Sequence, residues 1–325
     1  MLKPLVKLYL FALMLFLSAQ CFGQTKIDTT ESVLVGGIKQ VVTIQGEDRS
    51  KPLFLFITGG PGLPGIYDGN KLFTNELKKH FVVVQWDQRN CGQTLSLNPS
   101  PVKLTVQLFE NDTHELVTSL LKQFHRPKLF LMGWSWGTVL GFYMAAKYPD
   151  LLYAYMAVSP IVYQLESERI LIKELRQKAA EQKNLRAIRE LAQVQVPFAN
   201  PLQNYYDRKW LLLFNGESIG DSTEFKDYFT KNPEMMSLCR TADNTNLMVS
   251  LPEIKCPVYF FVGRKDHQTN YLLSEQYYKQ VKAPKKELFW FEKSRHIIPI
   301  SEPALMQNDV ISKILPQLTE KETGH

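Results

Sequence analysis

Gly133-Trp134-Ser135-Trp136-Gly137 constrains this chain more than any other stretch. It reads G-x-S-x-G. A short apolar run over 128–132 precedes it, and Thr138 to Lys147 follows with small and apolar residues and no breaker. The spacing predicts a buried strand running into Gly133, a sharp turn at Ser135 and a helix leaving through Gly137. On such a turn the backbone is strained and the serine Oγ is presented at the edge of the sheet. The flanking glycines leave room for close helix–strand approach. Without that context the pentapeptide would be an ordinary glycine-rich loop.

The rest of the chain supplies the context. Val33, Val35, Ile38, Val41, Val42 and Ile44 alternate around Gly36-Gly37 and predict a β-hairpin. Leu53 to Thr58 predicts a buried strand that ends in Gly59-Gly60-Pro61-Gly62, and Phe81 to Trp86 another that ends in Asp87-Gln88-Arg89-Asn90-Cys91-Gly92. Helical spacing over 70–80 (Leu72, Phe73, Leu77) and over 105–124 separates the strands, and Tyr153 to Val158 is strand-like again. From about 161 to 250 no strand-like run appears, and 164–182, 184–193, 202–214 and 222–230 have helical patterns. The strand–helix rhythm returns with strands at 258–262 and 287–291 and helices at 269–281 and 302–318. The expected fold is therefore α/β, a mostly parallel central sheet flanked by helices, with an inserted helical cap. The expected division is a core over 24–160 and 251–325 and a cap over 161–250.

A serine hydroxyl needs a base within hydrogen-bond reach, and the base needs an acid to orient it. Asp266 follows the strand at 258–262, and His296 follows the strand at 287–291. Each has an ordinary reading, as a helix cap and as a solvated loop residue. Together with Ser135 they stand in the order Ser, Asp, His of the α/β-hydrolase arrangement. Among the other histidines, His80, His114, His125 and His325 sit at helix ends, on a helix or in the tail, and His267 is the one rival base. Donors for a developing oxyanion are expected from the backbone N–H groups of Trp136 and Gly60.

Length and composition agree with this reading. The chain has 325 residues, 45% hydrophobic and 22% charged, which suits one large globular α/β domain with an insertion. Lys3 and Lys7, an apolar run over 8–17 and small residues up to Gly23 predict a signal peptide over 1–23, and hence export to the periplasm or outside the cell. The alternative is an uncleaved N-terminal anchor, although a membrane span needs about 20 apolar residues. Without that segment 36 basic residues face 32 acidic ones in scattered positions, which does not support nucleic-acid binding. Cys91, Cys239 and Cys256 are too few for a disulfide framework, and no Cys/His cluster has metal-ligand spacing.

Five stretches carry a family resemblance. Thr58-Gly59-Gly60-Pro61-Gly62 resembles the H-G-G-P-G signature of the proline iminopeptidase group of α/β-hydrolases, and Asp87-Gln88-Arg89-Asn90-Cys91-Gly92 resembles its D-Q-R-G-x-G. Gly133 to Gly137 looks like its G-x-S-W-G, Gly263 to Asp266 its G-R-x-D, and Ser294-Arg295-His296 its S/A-G-H. The resemblance implies a serine hydrolase with catalytic Ser135, Asp266 and His296, no metal and no organic cofactor. Its substrate would be a small peptide or acyl compound, from which many members release an N-terminal residue. Thr58, Asn90 and Arg295 depart from the pattern, where the family has histidine, glycine and glycine. The family's aminopeptidases hold the substrate amine with acids in the cap. Glu166, Glu168, Glu174, Glu181, Glu190, Glu217, Glu224 and Glu234 are the candidates here. Two alternatives stay open: a small-molecule esterase or amidase on the same triad, and a ligand-binding homologue that has lost turnover.

Overall fold

The computed structural model describes residues 26–66 and 74–316. The expected signal peptide, Leu72 and Phe73 of the expected helix over 70–80, and the chain beyond 316 with His325 lie outside the described residues.

Eight strands form one sheet in the order β1-β2-β4-β3-β5-β6-β7-β8. β1 (Ile27–Val35) and β2 (Ile38–Gly46) make the expected antiparallel hairpin, and β2 pairs antiparallel with β4 (Val82–Asp87). β3 (Leu53–Ile57), β5 (Leu129–Trp134), β6 (Leu152–Val158), β7 (Val258–Gly263) and β8 (Lys286–Phe291) join β4 in a parallel arrangement. The inner strands are buried on both faces, which is why they read as unbroken apolar runs. Leu53, Leu55 and Ile57 enter one core while Phe54 and Phe56 enter the other, as the two-residue period of a strand requires.

Helices α1 (Gly92–Leu97), α2 (Val106–Phe124) and α3 (Trp136–Lys147) lie between the early strands. Between β6 and β7 the chain forms α4 (Gln164–Glu181), α5 (Leu185–Leu191), α6 (Pro201–Phe214), α7 (Ser222–Thr230), α8 (Pro233–Asp243) and α9 (Leu247–Ser250). Leu171, Leu175, Ala179, Leu191 and Trp210 give this insertion a core of its own. α8 and α9 were not legible as helices in the sequence. Proline opens α8 at its first turn, where its missing N–H has no intrahelical acceptor to lose. α10 (Tyr271–Gln280) precedes β8, and α11 (Ile298–Ser301) and α12 (Pro303–Asp309) follow it. The single last helix expected from 302 is thus a shorter one opened by Pro303, continued by a π turn at Val310–Ile314. Of the helix expected over 70–80, the described residues contain a 3-10 turn at Leu77–Lys79. No helix among the described residues is long and apolar enough to cross a membrane.

A buried ion pair locks the hairpin, the end of β4 and α2 together. Arg89 and Asp112 are both fully buried. Arg89 Nε and Nη2 each donate to Asp112 at 2.9 Å, and Nη2 also donates to the Gly36 carbonyl. Gln40 donates to Asp112 at 2.8 Å and accepts from the Trp86 indole at 3.0 Å. Asp112→Ala would leave the guanidinium buried without its counter-charge. The expected loss is about 3–5 kcal/mol of unfolding free energy, read from urea denaturation followed by tryptophan fluorescence.

Candidate active site

The loops after β3, β5, β7 and β8 emerge on one edge of the sheet because these strands run parallel. Ser135 sits between β5 and α3 with φ 52° and ψ −117°, a conformation that costs a non-glycine residue about 1–3 kcal/mol. The turn is held from both sides: Ser135 N–H donates to Val158 C=O at 3.0 Å, and Ser135 C=O accepts from Thr138 N–H at 2.8 Å. A Cβ at Gly137 would lie 2.3 Å from the Ile57 carbonyl oxygen, so only glycine lets α3 leave so close to β3.

The structure brings Ser135, His296 and Asp266 into one hydrogen-bonded chain. Ser135 Oγ lies 2.9 Å from His296 Nε2, and His296 Nδ1 lies 3.0 Å from Asp266 Oδ2. Asp266 is 1% exposed. Its carboxylate accepts from the N–H groups of Gln268 and Thr269 at 2.9 and 3.1 Å and from the Thr269 hydroxyl at 2.8 Å. Burial alone would raise its pKa, but the charge and hydrogen bond of His296, with the Thr269 donors, outweigh burial and hold it below the usual value. The His296 carbonyl accepts from Trp134 Nε1 at 3.0 Å and from Ser159 Oγ at 2.9 Å, so the imidazole stands on a backbone tied to β5 and β6. His267 is occupied elsewhere, 2.8 Å from Glu174 at the surface. A hydroxyl, an imidazole and a buried carboxylate in this order can pass the hydroxyl proton to Nε2 while the carboxylate stabilises the imidazolium.

The loop after β3 abuts the serine: a Cβ at Gly59 would lie 3.2 Å from Ser135 Cβ. Gly60 and Trp136 line the same cavity as Ser135 and His296. Gln88 joins the two sides. Its Oε1 accepts from the Trp136 indole at 3.2 Å and its Nε2 donates to the Thr58 carbonyl at 3.4 Å. The D-Q-R stretch therefore acts as scaffold: Gln88 braces the site and Arg89 ties it to the hairpin. Asn90, which stands where the resemblance has glycine, has φ 57°; asparagine tolerates this left-handed conformation better than most residues, and its side chain accepts from Ser100 N–H at 2.6 Å.

The cavity has a volume of about 310 Å³ and runs from Ser135 up to the cap. Its walls are largely apolar, with Phe198, Phe225, Tyr228, Phe229 and Met236 contributed by the cap. Of the eight cap glutamates expected as candidates, Glu168 alone lines it. Glu166, Glu174, Glu181, Glu190 and Glu217 are engaged by Arg169, His267, Gln177, Lys209 and Arg295 respectively. Glu168 accepts from Gln164 at 2.6 Å and pairs with Arg208, which also pairs with the buried Asp207. Asp243 lines the cavity as well, and the sequence reading missed it. Burial, with Glu168 nearby, pushes the Asp243 carboxyl up to about 7, against the pull of Arg208 and Arg240. The signal was the spacing of Met236, Cys239 and Asp243, which places all three on the cavity face of α8. Cys91, Cys239 and Cys256 are free thiols, and Cys239 faces the cavity.

A sheet of this topology with serine on its strand-to-helix turn and His296 and Asp266 behind it defines a serine hydrolase of the α/β-hydrolase class. Residues 70–303 match the family model described as serine aminopeptidase, S33. The Bacillus subtilis protein named probable aminopeptidase YbaC is 30% identical over 295 residues, covering 84% of this chain and 92% of that protein. The Homo sapiens serine hydrolase BPHL is 24% identical over 272 residues, covering 83% of this chain and 81% of that protein. The chain belongs to the serine aminopeptidase S33 family. Among solved structures, the proline iminopeptidase of Mycobacterium smegmatis superposes with a TM-score of 0.59 at 16% identity, over 90% of this chain and 100% of that one, which is a likeness of fold.

Gln88→Met keeps the volume of the side chain but removes both polar contacts. The Trp136 indole N–H would then be buried without an acceptor. Urea denaturation is expected to register a loss of about 1–3 kcal/mol.

Proposed function

We propose that the protein is an aminopeptidase that releases an N-terminal residue from small peptides through an acyl-enzyme. One observation carries this reading: the Ser135–His296–Asp266 chain opens into a cavity that Glu168 and Asp243 of the cap also line. Ser135 Oγ attacks the carbonyl carbon of the N-terminal residue, and His296 Nε2 takes its proton. The N–H groups of Gly60 and Trp136 hold the oxyanion. The C–N bond then breaks, and Nε2 returns the proton to the departing amine. Water, deprotonated by His296, attacks the ester on Ser135 and frees the amino acid. Glu168 and Asp243 receive the substrate ammonium. The names of two relatives support this direction, since one is a probable aminopeptidase and another, 25% identical, a proline iminopeptidase of Thermoplasma volcanium.

A second reading is a small-molecule esterase or amidase. Two observations favour it: the cap contributes an aromatic wall, and Glu168 is already engaged by Gln164 and Arg208. Comparing an amino-acid arylamide such as proline β-naphthylamide with p-nitrophenyl acetate separates the two, because only the arylamide carries an amine for the cap acids.

Ser135→Ala is expected to abolish fluorophosphonate labelling and to lower turnover of every acyl substrate by at least about 10³-fold, with an unchanged melting temperature. Retained labelling would remove Ser135 from the mechanism. Asp243 supplies a pH test. Its carboxyl, raised to about 7, is charged above that pH and neutral below it. The ratio of kcat/KM for the arylamide to that for the acetate cancels ionisations of the triad, which both substrates share. The ratio is expected to fall as pH drops below about 7, and Asp243→Asn is expected to flatten it and reduce it roughly tenfold or more. A ratio independent of pH in the native enzyme would count against an amine held by Asp243.

A further inference from the structure

The cap is tied to the loops of the site by polar contacts, and different cap helices reach different loops. On α4, Gln164 donates to the Gln268 carbonyl at 2.8 Å and Glu174 pairs with His267 at 2.8 Å, so this helix is tied to the loop of Asp266. On α7, the Tyr228 hydroxyl donates to the Pro61 carbonyl at 3.1 Å, which ties it to the loop after β3. The third contact starts from the core. Arg295, immediately before His296, extends to the carboxyl end of α6. Its Nη2 donates to the Asn215 carbonyl at 3.1 Å, and its Nε lies 3.5 Å from Glu217 Oε1.

Arg295 stands where the sequence resemblance has glycine, and its two ends are held very differently. Its backbone is pressed against the end of β7: a Cβ at Gly263 would lie 2.2 Å from the Arg295 carbonyl oxygen. Its guanidinium meets the carboxyl end of α6 at the Asn215 carbonyl, where the helix dipole favours a cation. α6 in turn carries Asn204, Arg208 and Leu212 into the cavity. Arg208 is the residue that pairs with Glu168. A continuous path therefore runs from the backbone beside His296 through Arg295 and α6 to an acid on the cavity wall.

We propose that Arg295 is a positioning residue that determines specificity: it anchors the carboxyl end of α6 so that Arg208 and Glu168 keep their place in the wall of the cavity that holds Ser135. This rests on the aminopeptidase reading and deepens it, because it assigns recognition of the free amine to a cap held in register with the triad. Arg295 itself does not line the cavity, and its side chain is 37% exposed, so removing it leaves the core intact.

The test compares Arg295→Ala, Arg295→Lys, Glu217→Gln and the Arg295→Ala/Glu217→Gln double variant on three substrates. These are a free amino-acid arylamide, its N-acetylated counterpart and p-nitrophenyl acetate. In Arg295→Ala, KM for the free arylamide is expected to rise roughly five- to tenfold with kcat nearly unchanged, the scale of one partly exposed charged contact plus a helix-terminus interaction. Turnover of p-nitrophenyl acetate is expected to stay within about twofold. Arg295→Lys should recover part of the loss, and the double variant should be no worse than Arg295→Ala. Equal losses in kcat on the arylamide and the acetate would overturn the proposal, because they would mean that Arg295 merely shapes the His296 loop. A native enzyme that ignores N-acetylation refutes the amine reading and the proposal with it. A native enzyme that discriminates, with Arg295→Ala discriminating equally well, refutes the role of Arg295 alone.

Discussion

Parallel pairing is the constraint on which the site depends. β4, β3, β5, β6, β7 and β8 run the same way, so the residues that follow them meet on one edge, even Ser135 and His296, which are 161 positions apart in the chain. Hydrogen bonding along the sheet sets the spacing of those strand ends, and the apolar filling on both faces keeps the sheet from shearing. The Ser135 turn stores backbone strain on top of this frame. Such strain persists only where its surroundings over-determine it, and here the ends of β3 and β6 and the first turn of α3 do so.

A second layer of contacts keeps Ser135, His296 and Asp266 from drifting. Gln88 spans from the Thr58 carbonyl to the Trp136 indole, and the His296 carbonyl is taken by Trp134 and Ser159. Asp266 has its lone pairs filled by Gln268, Thr269 and His296. Each contact is an ordinary hydrogen bond worth about 1 kcal/mol net. Their combined effect is geometric: the hydroxyl, ring and carboxylate lie in line before any substrate arrives.

The frame was legible in the sequence because its physics is local. Strands buried on both faces announce themselves as apolar runs, and Ser135, Asp266 and His296 could be placed by counting which runs they follow. The cap was harder to read. Its helices are amphipathic and their cavity faces come from α4, α6, α7 and α8 together, so the fate of any one acid depends on packing between helices. Eight glutamates looked equivalent, and only Glu168 faces the cavity. Asp243 escaped notice because it sits on a helix opened by proline, a residue read more readily as a break than as a beginning. Asn90 and Arg295 looked like departures from a pattern. The first adopts a left-handed backbone that glycine would also accept, and the second reaches a helix far away in sequence.

The separate core of the cap has an evolutionary consequence. Leu171, Leu175, Leu191 and Trp210 pack among themselves and away from the sheet. Changes in α4, α5 and α6 can therefore be absorbed in part inside the insertion, whereas Phe229, Met236 and Ala242 on α7 and α8 belong to the core that also packs the sheet. A lineage built this way can vary α6, which reaches the cavity, without rebuilding the strand ends.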